Sequence, residues 1–517
     1  MVEPASSTAQ DGQFRIVIVG GGTAGWMTAA GLIRQLPRGD YRITLVESDE
    51  IGTVGVGEAT LPHIKLFNDM LGLDEAQFMR ETQATFKLGI EFVDWDKPGD
   101  RYIHPFGAFG EPWGGVEFQN HWLRVQADGR DALPFQAYSY AVAAARANAF
   151  ELPDENPKSI RSTYSYAYHF DAGLYAEFLR RWAIARGVER IEGQVCEIGR
   201  DNASGALTAI TLKSGQTIAG DLFIDCTGFR SLLLGGQFDV GWEDWSRWLP
   251  CDRALAVPCA HGGDFTPYTR ATARTAGWQW RIPLQHRIGN GYIFSSAFLS
   301  QDEAHDTLLA NLDGGPQAEP RLLRFSPGRR ECAWRGNCVA IGLASGFLEP
   351  LESTSIFLIQ AAVMDLIGLM PTRRGGIDPR LAAEYNRLFE VHYDRIRDFL
   401  VLHYTANRRQ GQPLWDHVRD MELPESLAHK IALFRASAAA PDYLYGLFSR
   451  DSWLAVLVGQ GVLPAGWNPL AEAVPLDDLE ARLADLRYRV EVNAADMTAH
   501  GDFIRSYCPA PALEPAA

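Results

Sequence analysis

Residues 14–47 read FRIVIVGGGTAGWMTAAGLIRQLPRGDYRITLVE, and the succession of residue types in this stretch decides the fold class. The apolar, β-branched run 14–19 predicts a short buried strand, 25–36 a helix and 42–46 a second strand, which together make a βαβ unit. Gly20-x-Gly22-x-x-Gly25 falls at the turn from strand to helix, and Glu47 closes the second strand 22 residues after Gly25. In such a turn the first glycine permits the tight bend, the second lets backbone approach a pyrophosphate, and the third lets the helix pack on the strand. The helix N-terminus attracts the anion, and the carboxylate accepts from a ribose hydroxyl. Gly20, Gly22, Ala24, Gly25 and Glu47 are therefore candidate dinucleotide-binding residues. Residues 16–33 carry no charge and reach transmembrane length, but the central glycines split them into strand, turn and helix, so no membrane span is expected.

Outward from this unit, no second nucleotide fingerprint follows, so one dinucleotide is expected. Residues 172–185 read as a helix, and 188–198, 206–212 and 222–225 as strands, the last ending in Asp225-Cys226-Thr227-Gly228. A later strand that delivers another glycine turn after a β-meander is how two-dinucleotide-fold flavoproteins return to their cofactor, and it favours FAD over NAD. At Asp378 the pattern changes: an N-cap residue, Pro379 at the first helical position, and Leu381, Tyr385, Leu388, Ile396 and Phe399 at near-helical spacing. The expectation is an α/β protein with a Rossmann-type, two-dinucleotide-fold FAD module over 13–375, of which 96–170 contributes to the substrate side. A mainly helical substrate-binding module follows over 376–517.

Composition narrows the partners. The 517 residues hold 64 acidic and 48 basic side chains, a net charge of −16, which opposes nucleic acid and anionic membranes because both need a positive surface field. The seven cysteines form no C-x-x-C pair or zinc-ligand spacing, so no metal is expected. With no positive, apolar signal in 1–13, the reading is a reduced, cytoplasmic protein that works on small molecules.

Three further segments bear on chemistry. Residues 337–356 read as strand, loop and the start of a helix at about Ser353, where serine and threonine are ordinary capping residues, although the free N–H groups of a first turn also form an anion site. Lys87 heads a segment read as an alternating strand through Trp95, and a lysine at a strand end is ordinarily a solvated edge charge. Yet the chain uses 6 lysines against 42 arginines, and only lysine loses its proton on burial and acts as nucleophile or tuned donor. Trp278 and Trp280 share one face of a strand, as a core aromatic pair would.

Taken together, Gly20-x-Gly22-x-x-Gly25 with Trp26, Gly55-Val-Gly57-Glu58-Ala59-Thr60, Phe86-Lys87, Trp278-x-Trp280-x-Ile282-Pro283 and Pro350-Leu-Glu352-Ser353-Thr354 resemble the flavin-dependent tryptophan halogenase family, in its order. The resemblance implies an FADH2-dependent halogenase that chlorinates or brominates an electron-rich, indole-type ring, using O2, chloride or bromide, and a separate NAD(P)H-dependent flavin reductase. In that family flavin hydroperoxide oxidises halide to hypohalous acid. It implies Lys87 as the residue that holds or captures the electrophilic halogen and Glu352 as the group that positions it and removes the ring proton. Thr354 and Ser355 become the halide-binding backbone pair, with Ser355 where the family often has glycine. Gly55, Gly57, Glu58, Ala59, Val195, Leu343 and Ile356 join the cofactor contacts. His104 and Phe106 match a His-x-Phe-Gly run that sandwiches the aromatic substrate. Trp453 is a stacking candidate with a helix-core role as its alternative. No run matches a grip on the amino-acid part of tryptophan, which points to a simpler indole. A homodimer is an expectation of the resemblance alone. Two other readings stay open: a flavin-dependent aromatic hydroxylase and a non-catalytic FAD-binding sensor.

Overall fold

Strand Phe14–Val19 is buried except at Arg15, as befits a parallel strand covered on both faces. In the computed structural model, which describes residues 12–51, 57–130, 132–263, 265–372, 375–443 and 445–511, it lies at the centre of a six-stranded sheet. Tyr41–Glu47 pairs with it in parallel on one side and Leu222–Asp225 on the other, with Val19 level with both Val46 and Asp225. Glu189–Glu192 and Cys338–Ala340 extend the sheet in parallel, and Trp334–Arg335 closes one edge in the antiparallel sense. The carboxyl ends of the central strands thus fall together, where open α/β sheets bind their ligands. Helix Thr23–Gln35 leaves the glycine turn and packs with Ala172–Ile184 and Thr354–Gly368.

A second, seven-stranded sheet runs in the order Arg321–Arg324, Arg253–Cys259, Ile288–Phe294, Gly277–Pro283, Thr269–Arg274, Gly89–Val93, Arg101–Pro105. Every residue of Gly277–Pro283 is buried, so Trp278 and Trp280 are core residues with ring centroids 6.2 Å apart. A small third sheet joins Gly57–Ala59, Ala167–Asp171 and Thr85–Lys87.

The expected continuous strand from Lys87 to Trp95 is not formed. Lys87 ends Thr85–Lys87 in the small sheet, Leu88 gives its N–H to Pro267 O, and Gly89–Val93 begins in the large one. Gly89 makes the crossing possible, since a Cβ there would lie 2.4 Å from His104 O. The switch carries Lys87 from a solvated edge into the interior, where it is 0% exposed.

From Pro379 onward the described elements are all helical, beginning with Pro379–Thr405, whose N-cap Asp378 accepts from Arg380 N–H. These helices share one apolar cluster with both large sheets: Ile18, Trp26, Phe92, Trp278, Phe399 and Trp453 all belong to it. No helix among the described residues is long and apolar enough to cross a membrane.

Candidate active site

The glycine turn shows which of its glycines the chain itself needs. Gly20 has φ +111°, and a Cβ there would sit 2.3 Å from Cys226 O; a Cβ on Gly25 would sit 1.8 Å from Gly20 O. Nothing lies within 4 Å of the position a Gly22 Cβ would take. Gly22 also caps helix Thr23–Gln35 without a side-chain bond and with no acidic residue in the first turn, so that positive end faces open space. This is the cradle a pyrophosphate needs, and the residues present fit FAD there. Glu47 lies against the turn, its carboxylate accepting from Trp26 Nε1 at 3.2 Å and from Arg190 Nε at 2.5 Å. Asp225, at the end of the neighbouring strand, serves the chain: its oxygens accept from the N–H groups of Thr227, Leu233 and Leu234.

The other cofactor candidates lie on separate elements. Val195 opens strand Val195–Arg200 just beyond Gly193, whose N–H reaches Glu47 O. Leu343 follows Gly342, where a Cβ would lie 2.8 Å from Ala24 Cβ, and Ile356 is buried in the first turn of Thr354–Gly368. Gly57, Glu58 and Ala59 form the strand of the small sheet, with the Glu58 carboxyl pushed up to about 7 by burial. Gly55 lies outside the described residues.

Lys87 and Glu352, 265 positions apart in the chain, are both buried and near enough for their charges to interact. Lys87 Nζ donates to Thr60 O at 2.9 Å and to Ser353 Oγ at 2.8 Å, and lies 4.9 Å from the centre of the Phe106 ring. Burial lowers the ammonium from its ordinary value to about 7, and the nearby Glu352 charge opposes that shift only in part. Glu352 is also 0% exposed. Burial by itself raises a carboxyl, but two imidazoles outweigh it and hold Glu352 at about 2. His104 Nδ1 lies 2.9 Å from Oε2; His403 Nε2 lies 2.8 Å from Oε1, close enough for a charge contact though off the hydrogen-bonding direction.

The capping expectation at the next helix fails. Ser353 occupies the N-cap position of Thr354–Gly368 in the left-handed region, φ +59° and ψ +36°, and its side chain caps nothing. Its hydroxyl accepts from Lys87 instead. Thr354 Oγ1 is buried with no partner, and Thr354 and Ser355 contribute the first-turn N–H groups. The arrangement is a desolvated helix start, one unpaired hydroxyl and an adjacent amine, which suits a monovalent anion.

An aromatic wall adjoins Glu352. The His104 ring has Phe106 at 6.5 Å, Phe399 at 5.6 Å and Phe448 at 6.1 Å; Phe399 and Phe448 stack at 3.8 Å, and Trp453 meets Phe399 edge-on at 5.0 Å. The structure thus brings His104, Phe106 and Trp453 into one cluster. Trp453 is nonetheless 6% exposed and packed within its helix, with Lys430 Nζ 4.8 Å from its ring centre. Sequence reasoning missed Ser353 as the partner of Lys87, and it missed His403, Phe399, Phe448 and Glu349. Glu349 accepts from Trp278 Nε1 and Tyr404 OH, both at 2.6 Å, so it ties the two-tryptophan strand to the 349–354 segment. The available signal was a glutamate three residues before Glu352 in an apolar segment; the helical residues carried none.

The chain thus combines a dinucleotide cradle on an α/β sheet with a buried lysine and carboxylate beside an aromatic wall, an arrangement that fits a dinucleotide-dependent oxidoreductase. Comparison with known proteins agrees: the tryptophan halogenase family profile matches residues 15–476. The chain is 37% identical over 489 residues to tryptophan 6-halogenase SttH of Streptomyces toxytricini, covering 89% of this chain and 92% of that protein. Among solved structures it resembles Xcc4156, a flavin-dependent halogenase from Xanthomonas campestris, at 48% identity and TM-score 0.92, over 97% of this chain and 100% of that one. It also resembles BrvH, a flavin-dependent halogenase from Brevundimonas sp. BAL3, at 45% identity and TM-score 0.92, over 96% and 99%. The chain belongs to the tryptophan halogenase family and is a flavin-dependent halogenase.

Proposed function

We propose that this enzyme halogenates an electron-rich indole-type ring, with Lys87 directing the electrophilic halogen and Glu352 accepting the ring proton. Reduced FAD, delivered by a separate NAD(P)H-dependent reductase, supplies with O2 the oxidation that makes halide electrophilic. Gly20, Gly22, Ala24, Gly25, Glu47, Gly57, Glu58, Ala59, Val195, Leu343 and Ile356 hold that cofactor on the 13–375 module. The Thr354 and Ser355 N–H groups hold chloride or bromide. Residues 96–170 and 376–517 form the substrate side, where His104 and Phe106 face the ring and Trp453 closes the aromatic wall.

The observation that carries this reading is the fully buried Lys87 amine, paired with Ser353 next to Glu352. With its ammonium lowered to about 7, Lys87 is divided at neutral pH between a charged donor, which holds an electrophilic oxyhalogen by hydrogen bond, and a neutral amine, which captures the halogen. Attack by the ring leaves one carbon bearing both halogen and hydrogen, a strong acid because losing the proton restores aromaticity. A carboxylate held ionised by two imidazoles accepts that proton even though it is a weak base.

The test incubates the protein with FAD, a generic flavin reductase, NADH and chloride or bromide, with indole and tryptophan in parallel, beside a Lys87→Ala control. Products are read by mass spectrometry. Halide-dependent isotope patterns on indole that vanish in the control are expected. Efficient halogenation by Lys87→Ala refutes the assigned role, and halogenation of tryptophan in preference to indole refutes the simpler-indole expectation.

A further inference from the structure

Helix Pro379–Thr405 ends beside the 349–352 segment, and two consecutive residues of its last turn each reach one of that segment's buried glutamates. Tyr404 OH donates to Glu349 Oε2 at 2.6 Å, and His403 Nε2 stands 2.8 Å from Glu352 Oε1. The His403 ring is 0% exposed and walled by Phe92 at 4.7 Å, Phe399 at 5.1 Å and Trp95 at 6.0 Å, so it has no room to turn over. Its Nδ1 lies 2.8 Å from Phe399 O, one helical turn back. A carbonyl oxygen only accepts, so Nδ1 carries a proton. The other nitrogen, Nε2, stands off the hydrogen-bonding direction, so its hold on Glu352 Oε1 is a charge contact across 2.8 Å.

We infer that His403 is a positioning residue of the halogenation site, which fixes Glu352 in orientation and keeps its carboxyl ionised. The inference rests on the proposed role of Glu352. The titratable and charged groups that face Glu352 are His104 and Tyr102 from Arg101–Pro105, Lys87 from Thr85–Lys87, and His403 itself. Tyr102 is held neutral by burial and donates to Gln460 Oε1, so it brings no charge. Lys87 brings charge only while protonated. His104 holds both carboxylate oxygens from one side, and His403 meets Oε1 from another, so the two imidazoles fix the plane of the carboxyl group. Glu349, equally buried in the same segment but bonded to an indole and a phenol, shows the alternative: its carboxyl is pushed up to about 7. The geometry also explains why a distant helix bears on the chemistry, since a shift of that last turn moves both glutamates together.

The experiment compares wild type, His403→Leu and His403→Gln by the pH dependence of kcat under saturating reduced FAD, halide and indole. Removing the imidazole is expected to bring an acid limb into the range from about 5 to 7, so that kcat at pH 5 falls about threefold or more relative to pH 8 beyond any change in wild type, with little change in KM for indole. Glutamine restores a neutral donor and is expected to move the limb part of the way back. A merely structural role lowers thermal stability in both variants but leaves the shape of the profile unchanged, and that result overturns the inference. Histidine-selective 15N NMR of the full chain provides a readout independent of turnover. An imidazole protonated at Nδ1, whose Nε2 signal moves in Glu352→Gln, supports the contact; no imidazole signal moving in Glu352→Gln overturns it. If wild type makes no halogenated product, the proposed function fails, while the NMR result still decides whether His403 holds Glu352.

Discussion

Replacing Lys87 by methionine keeps an unbranched side chain, one atom shorter, and removes its charge, and the consequence for stability follows from burial. In the unfolded chain the ammonium keeps its proton up to about 10.5, whereas in the folded protein it releases it near 7. Between those values the unfolded state binds more protons, so wild-type stability rises with pH. At 1.36 kcal/mol per unit, the charged lysine costs the folded state about 5 kcal/mol below pH 7, fading to nothing above the unfolded value. Methionine escapes that cost but leaves Thr60 O and Ser353 Oγ without their donor, a loss of about 1–3 kcal/mol each. Lys87→Met is therefore expected to lie within about 2 kcal/mol of wild type in stability at pH 7. Its stability relative to wild type should fall by about 3 kcal/mol between pH 7 and 9.5, while halogenation is abolished. Denaturant unfolding at several pH values, followed by tryptophan fluorescence and circular dichroism together, measures the difference. Parallel stability curves for the two proteins across that range would falsify the buried, easily deprotonated amine on which the proposed chemistry depends.

Four further changes probe the rest of the site. Gly22→Ala places its Cβ in open space and costs about 1 kcal/mol as a poorer N-cap, so it should fold yet bind FAD weakly in a fluorescence titration; Gly25→Ala, whose Cβ collides with Gly20 O, should yield little folded protein. Equal behaviour of the two would contradict the reading of the cradle. Thr354→Val removes a hydroxyl that has no partner in the chain, so thermal stability should hold or rise while the KM for halide increases; an unchanged halide KM would remove the hydroxyl from the anion site. Trp278→Phe deprives Glu349 of one of its two donors and should cost about 1–3 kcal/mol in denaturant unfolding, with FAD affinity retained.

The nucleotide half of the protein was legible because local rules govern it. The apolar run before Gly20, the glycine spacing and the acid at Glu47 each specify backbone behaviour within a few residues, and the observed Phe14–Val19, Thr23–Gln35 and Tyr41–Glu47 differ from the expected bounds by no more than two residues. The helix beginning at Asp378-Pro379 was equally local, since a cap and a proline set its start. By resemblance the sequence also pointed to Lys87 and Glu352, but not to what each would touch. The continuous strand through Lys87 failed because pairing partners, not alternation, decide where a strand ends: Thr85–Lys87 pairs with Ala167–Asp171, whereas Gly89–Val93 pairs with Arg101–Pro105 and Thr269–Arg274. Ser353 failed as a cap because the turn after Pro350 holds it in the left-handed region, which frees its hydroxyl for an amine contributed from another sheet.

What the sequence by itself determined was the βαβ unit and its glycine turn, since both depend on the conformational limits of neighbouring residues. Tertiary structure alone decided the electrostatics of the site. Lys87, His104, Glu352 and His403 come from four separate elements, and the proton affinities of Lys87 and Glu352 follow from burial and from the charges packed around them. Those quantities depend on distance and desolvation in three dimensions, and no spacing along the chain encodes them.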